Sequence, residues 1–77
     1  MEHFTTLTQL KEGQTARVQA LLSKGINRRR MQDLGIITGT PIECLHTSPS
    51  GDPVAYKIRG AVIALRSEDA NKIIVEP

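Results

Sequence analysis

The fold of this chain is decided by the stretch Val54-Ala55-Tyr56-Lys57-Ile58-Arg59-Gly60-Ala61-Val62-Ile63-Ala64-Leu65. Every second residue from Val54 to Ile58 is apolar or aromatic, which is the period-two pattern of a strand with one buried face. The dipeptide Arg59-Gly60 follows, and glycine readily adopts the positive φ that a tight turn requires. The apolar run 61–65 then predicts a second strand, so the stretch predicts a β-hairpin.

Strand patterns recur on both sides of this hairpin. Residues 16–22 alternate upstream, a similar alternation begins after Gly39, and residues 73–75 form an apolar closing strand. The turn-rich segment 48–53 separates the second of these strands from the hairpin. The side chains expected on the buried faces are Ala16, Val18, Ala20, Ile42 and Cys44, and His46 continues the last alternation at the end of its strand.

A short helix is predicted over residues 27–34. Asn27 is expected to be its N-cap, because the asparagine side chain can accept an amide hydrogen bond from the first turn. Ile26 and Met31 have the spacing of a hydrophobic staple across that cap. Gly35 is expected in the left-handed position after the helix, with the next residue folding back onto Met31. Two turns are too short to be stable alone, so the helix must pack on the rest of the domain.

Two shorter segments complete the expected secondary structure. Leu7 and Leu10, three residues apart, are expected to place both side chains on the core. Ser67 is expected to cap a single helical turn, with Glu68 and Asp69 at the positive end of its dipole. About five short strands in so small a chain are easiest to satisfy by curling the sheet onto itself. We therefore expect one domain over residues 1–77, a mostly β, small SH3-like barrel, with a mixed α+β sheet as the alternative.

Composition excludes several classes of protein. The chain has 77 residues, which is enough for one domain. Ten Lys and Arg against eight Asp and Glu give a net charge of +2, a weak field for a nucleic-acid binder. A single Cys cannot form an internal disulfide. The sequence opens without a signal-peptide pattern and contains no apolar run near the ~20 residues that cross a bilayer. A cytoplasmic protein is expected.

Several segments in order resemble one known family. Residues 30–40 resemble a segment of the FeoA family, the small ferrous iron transport protein A, and residues 48–53 resemble that family's Pro-x-Gly-Asp-Pro loop. Residues 58–60, 64–70 and 7–13 match further FeoA segments at the right spacing. The resemblance implies an SH3-like barrel that acts in ferrous iron uptake beside FeoB, a membrane transporter with a cytosolic GTPase domain.

Catalytic and metal sites are not indicated by the residues. The sequence has no phosphate-binding glycine loop and no Ser-His-Asp pattern, so no enzyme activity and no cofactor are expected. Cys44 and His46 form a Cys-x-His pair whose ligands would suit a transition metal ion, with His3 as a remote third candidate. The alternative, which we adopt, is that Cys44 is a small core residue and His46 ends a strand, so no metal site is expected.

The basic run at residues 28–30 is the strongest candidate for a contact surface. Consecutive helical residues point about 100° apart, so the three arginines do not form a phosphate track, and no nucleic-acid binding is expected. An acidic partner surface fits better, and the resemblance identifies that partner as the cytosolic part of a FeoB-type transporter. Ile37 either belongs to the core or anchors an apolar contact. The residues expected to bind the partner are Arg28, Arg29, Gln32, Ile37 and, at the strand end beside the 48–53 loop, His46.

Two other functions remain open from the sequence. The first is a metal-sensing or nucleic-acid-binding barrel, since FeoA-like barrels also form the C-terminal domain of regulators related to the diphtheria toxin repressor. The second is a homo-oligomer built through an exposed barrel edge. We expect a monomer that reaches the membrane only through its partner.

Overall fold

A computed structural model describes residues 4–77, which form a single six-stranded antiparallel sheet with two short helices. The sheet order is β1-β6-β2-β3-β4-β5. The strands are β1 (Thr5–Thr6), β2 (Thr15–Leu21), β3 (Pro41–Thr47), β4 (Val54–Ile58), β5 (Ala61–Leu65) and β6 (Ile73–Glu76). A 3₁₀ turn occupies Leu7–Gln9, and the helices are α1 (Gly25–Asp33) and α2 (Ser67–Ala70). The mostly β architecture is confirmed, and the two-residue β1 is the strand that was not predicted.

One apolar core lies against this sheet. Leu7 and Leu10 are both buried in it, as predicted. The helix α1 contributes Met31 alone, and the residue after its glycine stop, Ile36, is fully buried beside it in the same cluster. The other core residues are Ala16, Val18, Ile42, Cys44, Tyr56, Ile58, Leu65, Ala70, Ile73 and Val75.

The hairpin that decides the fold forms as predicted. β4 and β5 pair without a bulge from Val54 opposite Leu65 to Ile58 opposite Ala61. Both turn residues are left-handed, with φ of 52° at Arg59 and 84° at Gly60. Positive φ at both central positions is the type I′ geometry, whose twist matches that of the flanking strands.

Two bulges change which side chains reach the core. The pairing of β2 with β6 shifts between Val18 and Ala20, so Ala20 is exposed and the prediction that it is buried was wrong. The pairing of β3 with β4 shifts between Cys44 and His46, so His46 is exposed, and the prediction that it continues the alternation of Ile42 and Cys44 was also wrong. In each case one extra residue moves every following side chain to the opposite face of the strand.

The start of α1 differs from the prediction. The helix begins at Gly25, and Lys24 occupies the N-cap position without a side-chain hydrogen bond to the helix. Asn27 therefore lies inside the first turn and is not the cap. Ile26 is 78% exposed while Met31 is buried, so the predicted staple does not form. The reason is that Gly25, with a φ of 59°, allows the chain to turn into the helix two residues early.

The end of α1 is as predicted. Gly35 adopts a φ of 93°, and its N–H donates to the Gln32 carbonyl at 2.9 Å. The Ile36 N–H donates to the Met31 carbonyl at 3.0 Å. These two bonds form the Schellman motif, which places the residue after the glycine back on the helix's apolar side.

The helix α2 is capped by a residue from another part of the chain. The N-cap position is Arg66, so Ser67 is the first helical residue and not the predicted cap. The Ser67 N–H donates to Asp52 Oδ1 at 2.8 Å. Glu68 and Asp69 occupy the first turn, as predicted.

Candidate functional site

A cleft of about 480 Å³ lies between strand β2 and helix α1. Its size is within the range of ligand-binding clefts. Three of the five residues predicted to bind a partner, Arg28, Gln32 and Ile37, line it together. The other lining residues are Gln19, Ala20, Leu21 and Thr38.

The helix wall of this cleft follows from the spacing of its residues. Arg28 and Gln32 are four residues apart and therefore lie one above the other on one helix face. Buried Met31 fixes which face points to the core. Arg29, two residues earlier, is about 200° around the helix from Met31 and faces outward. The structure thus places Arg29 on the outer surface of α1 beside the cleft and not in its lining.

The opposite wall is the end of β2 that β3 does not cover. β2 pairs with β3 only as far as Arg17 opposite Pro41, and a last pair of hydrogen bonds joins Val18 to residues 39 and 40. β2 continues to Leu21, which is still paired with Ile73 of β6 on its other side. Residues 19–21 therefore present one strand edge to the cleft.

Two side chains bond to that edge. Arg28 donates from its guanidinium to the Leu21 carbonyl at 2.7 Å, and the Thr38 hydroxyl donates to the Gln19 carbonyl at 3.4 Å. Both bonds are exposed. The first joins the helix wall directly to the strand wall.

Ile37 contributes an exposed apolar side chain to the cleft, which Ala20 and Leu21 also line. It follows the fully buried Ile36 and is 44% exposed, so of the two interpretations of Ile37 the structure supports the surface position. The Thr40 N–H donates to the Ile37 carbonyl at 3.0 Å, which holds this turn in place. An exposed apolar side chain next to cationic groups is a combination found at contact surfaces.

The charge around the cleft is positive. Residues 24–33 contain four cations, Lys24 and the three arginines, against one carboxylate, Asp33. That local net charge of +3 exceeds the +2 of the whole chain, so this region concentrates the protein's positive charge. A negatively charged ligand is therefore favoured here.

His46 lies elsewhere. In the sheet register, Arg17 is opposite Pro41 and Thr15 is opposite Glu43. The cleft is beyond Arg17 in one direction, whereas His46 is beyond Glu43 in the other. The two locations are thus at opposite ends of the sheet, and the structure does not bring His46 to the cleft.

The Cys-x-His pair does not converge on one point. Cys44 is opposite Tyr56 and His46 is opposite Ala55. Because Tyr56 and Ala55 are neighbours on one strand, they point to opposite faces, and so do Cys44 and His46. Cys44 is buried, and burial, with a smaller contribution from Glu12, raises the pKa of its thiol. Within residues 4–77 no three His, Cys, Asp or Glu side chains cluster as metal ligands, and His3 lies outside the described residues.

Several residues of the cleft were not predicted from the sequence. Gln19, Leu21 and Thr38 contribute to it, and nothing in their local pattern distinguishes them from other strand and loop residues. These residues line the cleft because the pairing of β3 with β2 does not extend to the end of β2. Among the described residues, no helix has the length and apolar character needed to cross a membrane.

Comparison with known proteins gives consistent matches. The FeoA domain family model matches residues 5–77. The fusion protein of Fe(2+) transport protein A and Fe(2+) transporter FeoB from Porphyromonas gingivalis is 36% identical over 70 residues. That match covers 91% of this chain, and the chain spans 8% of the length of that relative.

Solved structures share the fold. The FeoA-like protein of Clostridium acetobutylicum is 32% identical, with a TM-score of 0.89 over 99% of this chain and 88% of that one. FeoA of Stenotrophomonas maltophilia, solved with zinc and described as an SH3 domain protein, is 24% identical, with a TM-score of 0.84 over 94% of this chain and 89% of that one. The second likeness concerns the fold alone, and it confirms the predicted SH3-like architecture.

Proposed function

Since this chain belongs to the FeoA domain family, which is associated with ferrous iron transport, we propose that it is a cytosolic accessory protein that docks on a FeoB-type GTPase transporter. Docking assists or regulates Fe(II) uptake, and the chain itself catalyses no reaction. The observation that carries this proposal is the natural fusion of a related domain to the transporter in one polypeptide.

Fusion supports docking for a physical reason. Joining two partners in one chain raises their effective concentration to the millimolar range for short linkers, so even a weak contact forms. The contact itself still requires a complementary surface on the FeoA-like domain. The cleft between β2 and α1 provides such a surface, because it combines positive charge with an exposed apolar side chain.

The residues of this surface have different roles. Arg28 and Arg29 attract an acidic partner and pair with its carboxylates, which sets the rate and orientation of association. Ile37 supplies the apolar contact that excludes water from the centre of the interface. Gln32 lies on the same helix face as Arg28 and offers both a donor and an acceptor. His46, at the other end of the sheet, contacts the partner only if the interface extends along β3.

Calorimetric titration into the detergent-solubilised transporter tests the proposal. The titration is run with GDP and with a non-hydrolysable GTP analogue. Saturable binding that depends on the nucleotide supports a regulator that senses the GTPase state, and binding independent of nucleotide supports an assembly role. Absence of binding under both conditions contradicts docking.

Charge reversal locates the surface. The variant Arg28→Glu with Arg29→Glu should weaken binding at least tenfold, since charged hot-spot contacts at interfaces are typically worth more than about 1.4 kcal/mol. The control is Lys57→Glu, which reverses an exposed charge on β4 away from the cleft. Equal binding by the two folded variants would place the docking surface elsewhere.

A further inference from the structure

We propose that the transporter enters the cleft as an extended acidic segment, which adds to β2 as a new strand beside residues 19–21. This inference rests on the proposed function and specifies the chemistry and conformation of the docked segment. The segment would lie between β2 and α1, beside the part of β2 that has no β3 partner because the pairing of β2 with the 39–47 segment begins only at Val18.

The direction of the backbone groups on β2 supports strand addition. The Leu22 N–H donates to the Lys72 carbonyl at 2.7 Å, on the β6 side of the strand. Because successive residues of a strand direct their N–H and C=O groups to alternate sides, those of Leu21 point to the cleft. The bond from Arg28 to the Leu21 carbonyl agrees with this direction.

The bonds now made by the edge carbonyls can be exchanged. Thr38 is at the outer limit of hydrogen-bond distance from the Gln19 carbonyl, at 3.4 Å. Arg28 makes the shorter bond, but its side chain is exposed and can swing aside. An incoming strand would replace both donors with main-chain N–H groups. The guanidinium so released would be free to pair with a carboxylate of the incoming segment.

The side chains of the cleft select the segment. Strand addition gives affinity through main-chain bonds and specificity through the side chains on either face. Cationic Arg28 favours Asp or Glu, and exposed Ile37 favours an apolar side chain at an alternate position. Three residues of strand edge span about 10 Å, so the paired part of the segment is short.

The test uses overlapping ten-residue peptides that tile the cytosolic part of the transporter, titrated into the isotopically labelled chain and followed by NMR. The expected binders alternate acidic and apolar residues. They should shift the amides of Gln19, Leu21 and Thr38 and give cross-strand contacts between the peptide and β2. Methylation of one main-chain nitrogen that faces β2 should weaken binding about tenfold, the cost expected for one blocked main-chain hydrogen bond.

Charge is tested separately from strand pairing. Arg28→Glu should weaken the same peptide about tenfold, and Lys57→Glu should leave its affinity unchanged. Binders that are basic, or that bind in helical form without cross-strand contacts to β2, would overturn the inference.

The full-length transporter separates this inference from the proposed function. If it binds through the cleft while no peptide does, docking stands and strand addition is wrong. If neither the transporter nor any peptide binds, both are wrong.

Discussion

The side chain of Arg59 lies directly over the Cα of Gly35. A Cβ at position 35 would be 2.5 Å from Arg59 Cδ, closer than such atoms approach in proteins. The turn of the β4–β5 hairpin thus rests on the C-terminal stop of α1, the helix that forms one wall of the cleft. This contact between Arg59 and Gly35 therefore helps to position α1, the helix that carries Arg28 and Gln32.

The variant Gly35→Ala should lower the free energy of unfolding by about 1–3 kcal/mol, measured by urea denaturation. Two causes contribute. The φ of 93° is unfavourable for any residue with a Cβ, and the new methyl group collides with Arg59. The variant Arg59→Asn removes the colliding atoms and places Asn-Gly in the type I′ turn, the preferred pair for that geometry.

A double-mutant cycle separates the two causes. In the Arg59→Asn background, Gly35→Ala should cost less than in the wild type, because only the backbone strain remains. If Gly35→Ala lowers the free energy of unfolding equally in both backgrounds, the collision with Arg59 is relieved by small movements and costs no stability.

Loss of the Asp52 carboxylate should destabilise the start of α2. Asp52→Ala removes the acceptor of the Ser67 N–H and should cost about 0.5–2 kcal/mol, the usual range for a helix cap. Asp52→Asn keeps one acceptor oxygen and should cost less. Ser67→Ala leaves the backbone bond intact and loses only the 3.4 Å hydroxyl contact, so thermal denaturation should rank it as the mildest of the three. Equal costs for all three would contradict a capping role for Asp52.

The thiol of Cys44 should be unreactive in the native protein. It is buried, and its raised pKa reduces the fraction of thiolate, which is the nucleophilic form. A thiol reagent at neutral pH should modify Cys44 only after urea unfolds the chain. Rapid stoichiometric modification under native conditions would contradict the burial of this residue.

Stability should fall at alkaline pH. Burial, with smaller contributions from Cys44 and Asp52, raises the pKa of Tyr56 from its usual 10.0 to about 12. Between pH 10 and 12 the folded protein therefore keeps the Tyr56 proton, whereas the unfolded chain loses it. The contribution of Tyr56 to the free energy of unfolding is thus complete below about pH 10 and decreases as the pH rises towards 12. The pKa of the Cys44 thiol is also raised from its usual 9.0, so Cys44 likewise lowers the free energy of unfolding as the pH becomes alkaline.

The variant Tyr56→Phe identifies the group. It should flatten the alkaline decline of the free energy of unfolding, while Cys44→Ala should flatten mainly the part nearer pH 9. At neutral pH, Tyr56→Phe should cost little, because the Tyr56 hydroxyl is 3.5 Å from its acceptor, the Leu7 carbonyl. An alkaline decline unchanged by either variant would assign it to other groups.

Local signals made part of this fold predictable. The β4–β5 hairpin follows from a period-two pattern joined to a glycine turn, and both act over a few residues. The Schellman motif at Gly35 is equally local, since its two hydrogen bonds reach back only three and five residues. Arg28, Gln32 and Ile37 meet at one cleft because the helix period and this stop together determine their directions.

The features that escaped prediction depend on distant parts of the chain. The bulge near Gln19 is determined by the pairing of β2 with β6, more than fifty residues later. The cap of α2 comes from Asp52, fifteen residues before Ser67. The strand wall of the cleft exists because residues 39–47 pair with β2 only up to Val18, which leaves residues 19–21 without a strand partner on that side. An alternation pattern read on one strand contains no information about any of these partners.

The pairing of β1 with β6 has a mechanical consequence. Thr5 is opposite Val75 and Thr6 is opposite Ile74, so the chain enters β1 and leaves β6 at the same edge of the domain. Tension between those two points acts perpendicular to the strands. It therefore breaks the hydrogen-bonded pairs between β1 and β6 one after another, and does not load them all at once in shear. A force applied between these two points would therefore separate β1 from β6 first, before it loads the strands β2 to β5.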